Sequence, residues 1–212
     1  MADDPANPFD MLAADARWST FSAAEREKVD AFVRSWRIRP GDRVLEPGCG
    51  SGRLTEILAA QTGPAGQVLA FDASPRLMRL ARARKLPPHV TLCTVQAEAL
   101  ELSPESFDHV VCFNVLPHLV PLESVVCRLA ASLRTGGSFW IAHTHSRDEV
   151  NAVHRNGPAF LSGHILPTPR EVEALLRGAG LDRIEIDNGA DHFAAGAVRR
   201  APGSAPGGIH HG

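Results

Sequence analysis

The chain has 212 residues, a formal net charge of −2, and 44% hydrophobic and 22% charged residues. This length and composition are ordinary for a single globular α/β domain. They exclude a broad basic surface for nucleic acid and an apolar stretch of the roughly 18 residues that a membrane span needs, and the N-terminus lacks a secretion signal. We therefore expect a cytoplasmic protein, without nucleic-acid or membrane partners, that acts on a small molecule; the sequence leaves open whether it is a monomer or a homodimer.

An N-terminal helical cap is predicted over residues 1–38. Apolar positions recur at helical spacing over residues 9–36, and Pro40-Gly41-Asp42 marks the turn that ends this segment. A strand at 43–46 follows and stops in the turn 47–52, from which a helix begins. A strand that ends in a glycine-rich turn and leads into a helix is the first unit of a doubly wound α/β sheet, where ligands bind beyond the carboxyl ends of the strands.

The next part of the chain alternates between strands and helices. Strands are predicted at 67–71, 90–95, 109–113 and 138–142, with helices at 75–84 and 121–134, which is the pattern of parallel crossovers. The segment 143–167 is longer than a usual strand-to-helix connection. We predict that it is an insertion that forms a lid or substrate wall, with a short helix near 147–154. The alternative is a solvated helix whose charges carry no specificity.

Two strands at 183–187 and 193–198 end the predicted domain. Thr168-Pro169-Arg170-Glu171 is a capping box that opens the preceding helix, which ends near Gly178 or Gly180. Too few residues separate the two strands for a helix, so they form a hairpin and the sheet ends antiparallel. The tail at 201–212 is rich in glycine and proline and is predicted to be disordered.

The spacing of the glycines distinguishes between ligands. Gly48, Gly50 and Gly52 follow Glu46 in a G-x-G-x-G pattern, whereas a dinucleotide-binding turn of the G-x-G-x-x-G type would need a glycine in place of Arg53. Glu46 would repel a pyrophosphate but attract an ammonium or sulfonium group. The turn therefore favours a cationic ligand and argues against a nucleotide-linked oxidoreductase.

At this point the sequence resembles a known family, the class I S-adenosylmethionine-dependent methyltransferases, and within it the small-molecule members of types 11 and 25. The first motif of that family is an acid followed by G-x-G-x-G. Residues 95–100 resemble its third motif, residues 107–114 its fourth, and residues 133–137 its L-[KR]-P-G-G turn, here with Thr135 in place of proline. The resemblance covers residues 39–198. It implies an α/β fold with a Rossmann-like doubly wound sheet of seven strands, mostly parallel, in the order 3-2-1-4-5-7-6, with a C-terminal antiparallel hairpin.

The family resemblance implies S-adenosylmethionine as the cofactor of a methyltransferase domain at 39–200. Asp72 would accept hydrogen bonds from both ribose hydroxyls, with capping of the next helix as its alternative role. Gln96 stands where many members carry Asp. Asn114 would lie under the methionine end of the cofactor, and it lacks the Pro-Pro-aromatic sequence that follows in members that methylate DNA amino groups. The implied cofactor-binding residues are Glu46, Gly48, Gly50, Gly52, Asp72, Ala73, Gln96, Ala97, Glu98 and Asn114.

Histidines are the candidate catalytic residues. Methyl transfer from a sulfonium is an in-line displacement with a neutral leaving group, so alignment does most of the work, and only a hydroxyl acceptor also needs a base or a metal. Tyrosine cannot act as the base, because the chain contains none. We predict that the base is a histidine in the loops after strands four and five or in the segment that follows them: His118, His143, His145 and His154.

A divalent metal is a further hypothesis for the same loops. If they fold together, His118, His143 and His154 form a candidate site, because neutral imidazoles around an open coordination position hold a metal that lowers the pKa of a bound thiol or hydroxyl. The alternative for each histidine is a hydrogen bond within a loop or a position in the core. For His164 this alternative is favoured.

Two functions remain for the chain. The leading one is S-adenosylmethionine-dependent methyl transfer to a small-molecule acceptor. The other is a non-catalytic protein that binds S-adenosylmethionine or its demethylated product, S-adenosylhomocysteine. The sequence does not identify the acceptor.

Overall fold

The structure is a computed structural model that describes residues 7–14 and 19–201. The other parts of the predicted N-terminal cap, residues 1–6 and 15–18, lie outside the described residues. So does the predicted disordered tail, apart from Ala201. None of the helices in the described ranges combines the length and the apolar character that crossing a membrane requires.

Seven strands form one sheet in the order β3-β2-β1-β4-β5-β7-β6. The strands β1 to β5 pair in parallel, whereas β7 is antiparallel to both of its neighbours. The predicted fold class and strand order are confirmed. The strands are β1 Arg43–Pro47, β2 Gln67–Asp72, β3 Val90–Thr94, β4 Phe107–Phe113, β5 Leu133–His143, β6 Leu181–Asn188 and β7 Phe193–Arg199.

Six α-helices cover the two faces of the sheet. They are α1 Ala23–Trp36, α2 Arg53–Thr62, α3 Pro75–Ala83, α4 Leu122–Ser132, α5 Arg147–Asn156 and α6 Pro169–Gly178, with shorter 3-10 helices at Pro8–Ala14, Leu116–His118 and Ala159–Leu161. One apolar cluster packs α1, α2 and α3 against one face through Trp36, Leu58 and Met78. A second cluster packs α4 and α6 against the other face through Leu129 and Leu176. Helices on both faces are what a parallel sheet with two apolar sides requires.

The N-terminal helix is shorter than predicted. Ser22 is its N-cap, since its hydroxyl accepts a hydrogen bond from the backbone N–H of Glu25 and the Glu25 carboxylate accepts one from the backbone of Ser22. This capping box starts α1 at Ala23 rather than at residue 9. Residues 8–14 form a separate 3-10 helix.

Strand β5 is longer than predicted and begins at Leu133 instead of residue 138. Phe107 pairs with Leu133 and His109 pairs with Ser138, so the extra residues of β5 form a bulge opposite β4. Gly136 adopts a φ of 78° in this bulge, a conformation that favours glycine. The two glycines that mark a turn in the sequence therefore lie within the strand.

The strands β1, β2, β4 and β5 all end at the same edge of the sheet, because they run in parallel. The loops that leave this edge carry the glycine turn, Asp72, Asn114 and the histidine segments. This edge is where a doubly wound sheet binds its ligand.

Candidate functional site

The three glycines of the turn are required for different physical reasons. Gly48, Gly50 and Gly52 adopt φ values of 65°, 56° and 78°. A Cβ on Gly48 would lie 2.1 Å from Cγ2 of Val115, and one on Gly52 would lie 3.2 Å from Cβ of Ala81. A Cβ on Gly50 would meet no protein atom within 4 Å. Gly48 and Gly52 therefore permit close packing, while Gly50 borders open space where a ligand can approach the backbone.

Glu46 is a buried carboxyl group beneath this turn. Its side chain is 2% exposed, and its Oε2 accepts a hydrogen bond of 2.6 Å from the Thr55 hydroxyl. Burial raises the pKa of Glu46 to about 8, and the nearby charge of Asp72 adds to the rise. A cation bound beside Glu46 would favour its ionised form, so the group is matched to a positively charged ligand.

Asp72 joins the glycine turn to the start of α3. Its Oδ2 accepts a hydrogen bond of 2.9 Å from the N–H of Gly50, and its Oδ1 accepts one of 2.8 Å from the N–H of Ser74. The N-cap of α3 is Ser74, whose hydroxyl accepts from the N–H of Leu77. The backbone N–H of Ala73 also acts on this carboxylate, whose two oxygens together offer about four lone-pair sites, so Asp72 retains capacity for a ligand hydroxyl.

The segment 95–100 forms the third side of this region. The N–H of Val95 donates to the carbonyl of Asp72 at 3.0 Å, and a tight turn follows over residues 96–99. Gln96 and Glu98 are exposed, and Ala97 is half-buried. The Arg128 guanidinium, from α4, donates hydrogen bonds to the carbonyls of Glu98 and Leu100 and so fixes the loop. Sequence reasoning missed Arg128, because a single arginine in a helix carries no sign of which loop it contacts.

Asn114 couples the ends of β4 and β5. It adopts a φ of 51°, which asparagine tolerates better than most residues, and its N–H donates to the carbonyl of Ala142 at 2.8 Å. Its Oδ1 accepts a hydrogen bond of 3.1 Å from the N–H of Thr144. Asn114, Glu46, Phe21 and the glycine turn line one small cavity of about 40 Å³.

Residues near the N-terminus contact both halves of the site. The side-chain amide of Asn7 donates to the carbonyl of Ala73 at 3.1 Å, and Oδ1 of Asp10 accepts a hydrogen bond of 2.5 Å from the Ser74 hydroxyl. Between them, the Phe9 ring packs edge-on against His118, with a centroid separation of 5.0 Å. One short segment thus spans the region from Asp72 to the histidines.

The structure brings together three of the four predicted catalytic histidines. The ring centroids of His118 and His154 are 4.9 Å apart, and His143 acts electrostatically on His118 from the end of β5. His145 is exposed, and its ring contacts the Thr144 hydroxyl at 3.4 Å, so it lies outside this cluster. His164, for which a loop or core role was favoured, belongs to the cluster, since its Nδ1 is 2.9 Å from Nδ1 of His118.

A stripe of α5 side chains fixes the loop that carries His164. Arg147 donates to the carbonyl of Pro167 at 3.1 Å, and the buried amide of Asn151 both donates to and accepts from the backbone of Leu166, at 3.1 and 2.7 Å. His154 hydrogen-bonds through Nδ1 to the carbonyl of His164. These three residues of α5 are four and then three positions apart, so they share one helix face. The helix predicted near 147–154 is present as α5.

Burial keeps His118, His143 and His164 neutral at physiological pH. Desolvation lowers the pKa of both His118 and His143 to about 3, and repulsion from neighbouring imidazoles adds to the effect. The pKa of His164 is also lowered, mainly by desolvation. Nε2 of His143 is buried and has no hydrogen-bond partner among the described residues.

The cluster does not fit the predicted divalent metal. Within the described part of the chain, no group of three or more His, Cys, Asp or Glu side chains is placed to hold a metal ion. A metal requires ring nitrogens directed at one point, at roughly 2.0–2.1 Å. Instead, Nδ1 of His118 faces Nδ1 of His164, and Nδ1 of His154 is engaged by a carbonyl oxygen.

Comparison with known proteins decides the family. Residues 44–137 match the family model described as a methyltransferase domain. A ubiquinone biosynthesis O-methyltransferase from Xanthomonas axonopodis pv. citri is 30% identical over 208 residues, which cover 81% of this chain and 85% of that protein. The chain belongs to the class I S-adenosylmethionine-dependent methyltransferases. The predicted family and the predicted enzyme activity are confirmed.

Two further relatives agree with this assignment of the methyltransferase. A demethylmenaquinone methyltransferase from Symbiobacterium thermophilum is 32% identical over 138 residues, which cover 62% of this chain and 55% of that protein. Phosphoethanolamine N-methyltransferase 2 from Haemonchus contortus, solved in complex with S-adenosyl-L-methionine, has the same fold, with a TM-score of 0.73 at 16% identity over 91% of this chain and 57% of that one. The cofactor of the methyltransferase is S-adenosylmethionine.

The stability of the cofactor-free methyltransferase should depend on the ionisation of Glu46. Its pKa of about 8 in the fold lies above the value of 4.5 of a free glutamate, so the folded chain binds more protons between these limits and loses stability as pH rises through them. The slope contributed by one such group approaches about 1.4 kcal/mol per pH unit. Glu46→Gln keeps an acceptor for the Thr55 hydroxyl and should abolish this dependence of the free energy of unfolding on pH. The measurement is urea unfolding at several values between about pH 5 and pH 8. The exposed Glu56→Gln, on the same stretch of chain, should retain it; a wild-type slope in Glu46→Gln would contradict the assignment.

Substitutions of two glycines should separate folding from cofactor binding. Gly48→Ala and Gly50→Ala share the strain of a positive φ, roughly 1–2 kcal/mol. Only Gly48→Ala also forces a Cβ against Val115. We expect the larger fall in unfolding temperature for Gly48→Ala, and weakened S-adenosylmethionine binding in a folded Gly50→Ala, measured by thermal unfolding and calorimetry. Equal unfolding temperatures, or unchanged binding in Gly50→Ala, would argue against these separate roles.

Proposed function

We propose that the methyltransferase transfers the methyl group of S-adenosylmethionine to a hydroxyl group of a small aromatic acceptor. The observation that carries this proposal is the cluster of neutral imidazoles beside the cofactor edge of the sheet, with His118 at its centre. A hydroxyl is the acceptor that needs a base, whereas the leaving thioether needs no acid. The name of one relative, a ubiquinone biosynthesis O-methyltransferase, agrees with a hydroxyl acceptor.

The cofactor would lie along the carboxyl ends of β1, β2 and β4. Glu46 faces the ammonium group of the methionine part, and the backbone of Gly48, Gly50 and Gly52 approaches the chain between methionine and ribose. Asp72 accepts hydrogen bonds from the ribose hydroxyls, which its free lone pairs allow. The adenine lies against the loop after β3, with Ala73 beside the ribose. The residues assigned to adenine and to the methionine end are Gln96, Ala97, Glu98 and Asn114.

The methyl group would then point towards the histidines. The acceptor oxygen attacks in line with the sulfur, the C–S bond breaks with its electron pair left on sulfur, and S-adenosylhomocysteine forms. His118 takes the hydroxyl proton as attack proceeds, and because burial lowers its pKa, it is a weak base unless a neighbouring group helps to carry the charge. His143 and His154 surround His118 and supply no negative charge. The exposed position of His145 gives it no part in this step.

Aromatic side chains support an aromatic acceptor. Phe9 packs edge-on against His118, and Phe160 packs edge-on against Phe9, with a centroid separation of 5.2 Å. Edge-to-face geometry of this kind suits a further aromatic ring. Of the predicted cap at 1–38, the described residues Asn7, Phe9 and Asp10 cover the site, and the insertion 143–167 forms its wall.

Activity with matched acceptors tests the proposal. Purified protein, S-adenosylmethionine and either catechol, aniline or thiophenol present an aromatic hydroxyl, amine or thiol, and S-adenosylhomocysteine should form with catechol. His118→Ala should lower kcat by roughly 10²–10⁴-fold, because a positioned base contributes that factor. The KM for S-adenosylmethionine should change little. His89→Asn, which replaces a histidine at the opposite edge of the sheet, serves as the control. Turnover with the amine or thiol alone, or wild-type kcat in His118→Ala, would reject the hydroxyl assignment.

A further inference from the structure

His118 and His164 meet through equivalent ring nitrogens. Their Nδ1 atoms are 2.9 Å apart, which is hydrogen-bond distance. Both imidazoles are neutral at physiological pH, because desolvation lowers the pKa of each. A neutral imidazole carries one proton on one nitrogen. One of the two rings must therefore place its proton between them, and the other must accept it.

Nε2 of His118 lies on the far side of the ring from this hydrogen bond. Among the described residues it has no hydrogen-bond partner, and His118 is only half-buried, so the hydroxyl of an acceptor can reach this atom. If His118 carries its proton on Nδ1, it donates that proton to the hydrogen bond with His164 and keeps a bare lone pair on Nε2. This is the tautomer in which Nε2 can act as a base.

The position of the His164 ring is built by the fold. His154 holds the carbonyl of His164, and Asn151, which is fully buried, holds the backbone of Leu166 with two hydrogen bonds. The His164 ring also stacks with the Phe9 ring, at a centroid separation of 6.2 Å. Because its backbone carbonyl is hydrogen-bonded and its ring face packs on Phe9, His164 has little freedom to move away from His118.

We propose that His164 is the second half of the base, fixing the tautomer of His118 and taking up the proton that bridges the two rings. The proposal rests on the proposed function, in which His118 deprotonates the acceptor. In the transfer step the hydroxyl proton moves to Nε2 of His118, the C–O bond forms and the C–S bond breaks. The bridging proton moves from Nδ1 of His118 to Nδ1 of His164. After the product leaves, water removes the proton from Nε2 of His118 and the bridging proton returns, so one proton is released for each methyl group transferred.

The charges around the pair explain why a second ring is needed. The groups that act electrostatically on His118 are His143 from β5, His154 from α5 and His164 itself; no carboxylate acts on it within the described residues. An imidazolium on His118 alone would be desolvated and unpaired, which is costly. His164 is closer to solvent, so the charge is better hydrated there. Transfer of the bridging proton to His164 lowers the free-energy cost of the positive charge that forms as the methyl group is transferred.

Two substitutions separate orientation from proton uptake. The Asn oxygen in His164→Asn can accept the Nδ1 hydrogen bond of His118 but cannot take its proton, whereas His164→Ala can do neither. We expect kcat with catechol to fall at least tenfold in both, a part of the roughly 10²–10⁴-fold effect of a positioned base, with the KM for S-adenosylmethionine unchanged. Added imidazole should occupy the space vacated in His164→Ala and restore its rate, while His89→Asn should be insensitive to imidazole. Wild-type kcat in His164→Asn, or no response of folded His164→Ala to imidazole, would overturn the proposal.

A second measurement tests the pair without turnover. In protein labelled with ¹⁵N-histidine, NMR of the unsubstituted chain should show His118 protonated on Nδ1 and bare on Nε2, and this preference should be lost in His164→Ala. Protonation of His118 on Nε2 in the unsubstituted chain would overturn the proposal. The result also separates two kinds of failure, since the absence of methyl transfer to catechol with the expected tautomer present counts against the proposed hydroxyl acceptor and leaves the pairing of the rings in place.

Discussion

The parallel pairing of β1 with β2 and β4, and of β4 with β5, is the constraint on which the site depends. Parallel neighbours end at the same edge, so every loop that leaves these strands begins within reach of the others. The backbone then fixes each junction: Asp72 accepts the N–H of Gly50, and Asn114 accepts the N–H of Thr144. The antiparallel strand β7 closes the sheet beside β5, and because Phe193 pairs with His143, the turn at 189–192 between β6 and β7 lies at this edge as well.

Burial divides this edge into two regions of different electrostatic character. On the β1 and β2 side, Glu46 and Asp72 are buried acids whose pKa values are raised by desolvation. On the β4 and β5 side, His118 and His143 are buried bases whose pKa values are lowered for the same reason. The acids favour a cation, whereas the bases remain neutral and avoid repelling it.

The sequence was sufficient for the fold because its signals are local. The glycine turn after β1, the capping box at Thr168 and the short gap before β7 each depend on neighbouring residues, and they predict the elements and the closing hairpin correctly. The strand order, which is also correct, is implied by the family resemblance. The start of helix α1 at Ala23 and the bulge in β5 were not predicted. Helical periodicity gives weak information on where a helix begins, and a glycine pair is compatible with a turn or with a bulge.

The histidine cluster could be predicted only in part from local signals in the sequence. His118 and His143 could be predicted, because each follows a strand that ends at the ligand edge. His164 could not, since its place depends on contacts made by Asn151 and His154 across ten or more positions of the chain. The metal hypothesis failed for the same reason: counting imidazoles says nothing about the direction of their nitrogen atoms, which the backbone carbonyl of His164 and the ring-to-ring hydrogen bond determine.

The N-terminal segment makes the two halves of the site interdependent. Asn7 and Asp10 hydrogen-bond to the backbone and side chain at the start of α3, where Asp72 meets the glycine turn, while Phe9 contacts the rings of His118 and His164. Three residues are too few to absorb a movement at one end without transmitting it to the other. Displacement of Asn7 or Asp10 would therefore move Phe9 away from the histidines. An acceptor that displaced Phe9 would in turn strain the hydrogen bonds that Asn7 and Asp10 make near Asp72. The same segment therefore links the residues proposed to hold the ribose with those proposed to act on the acceptor.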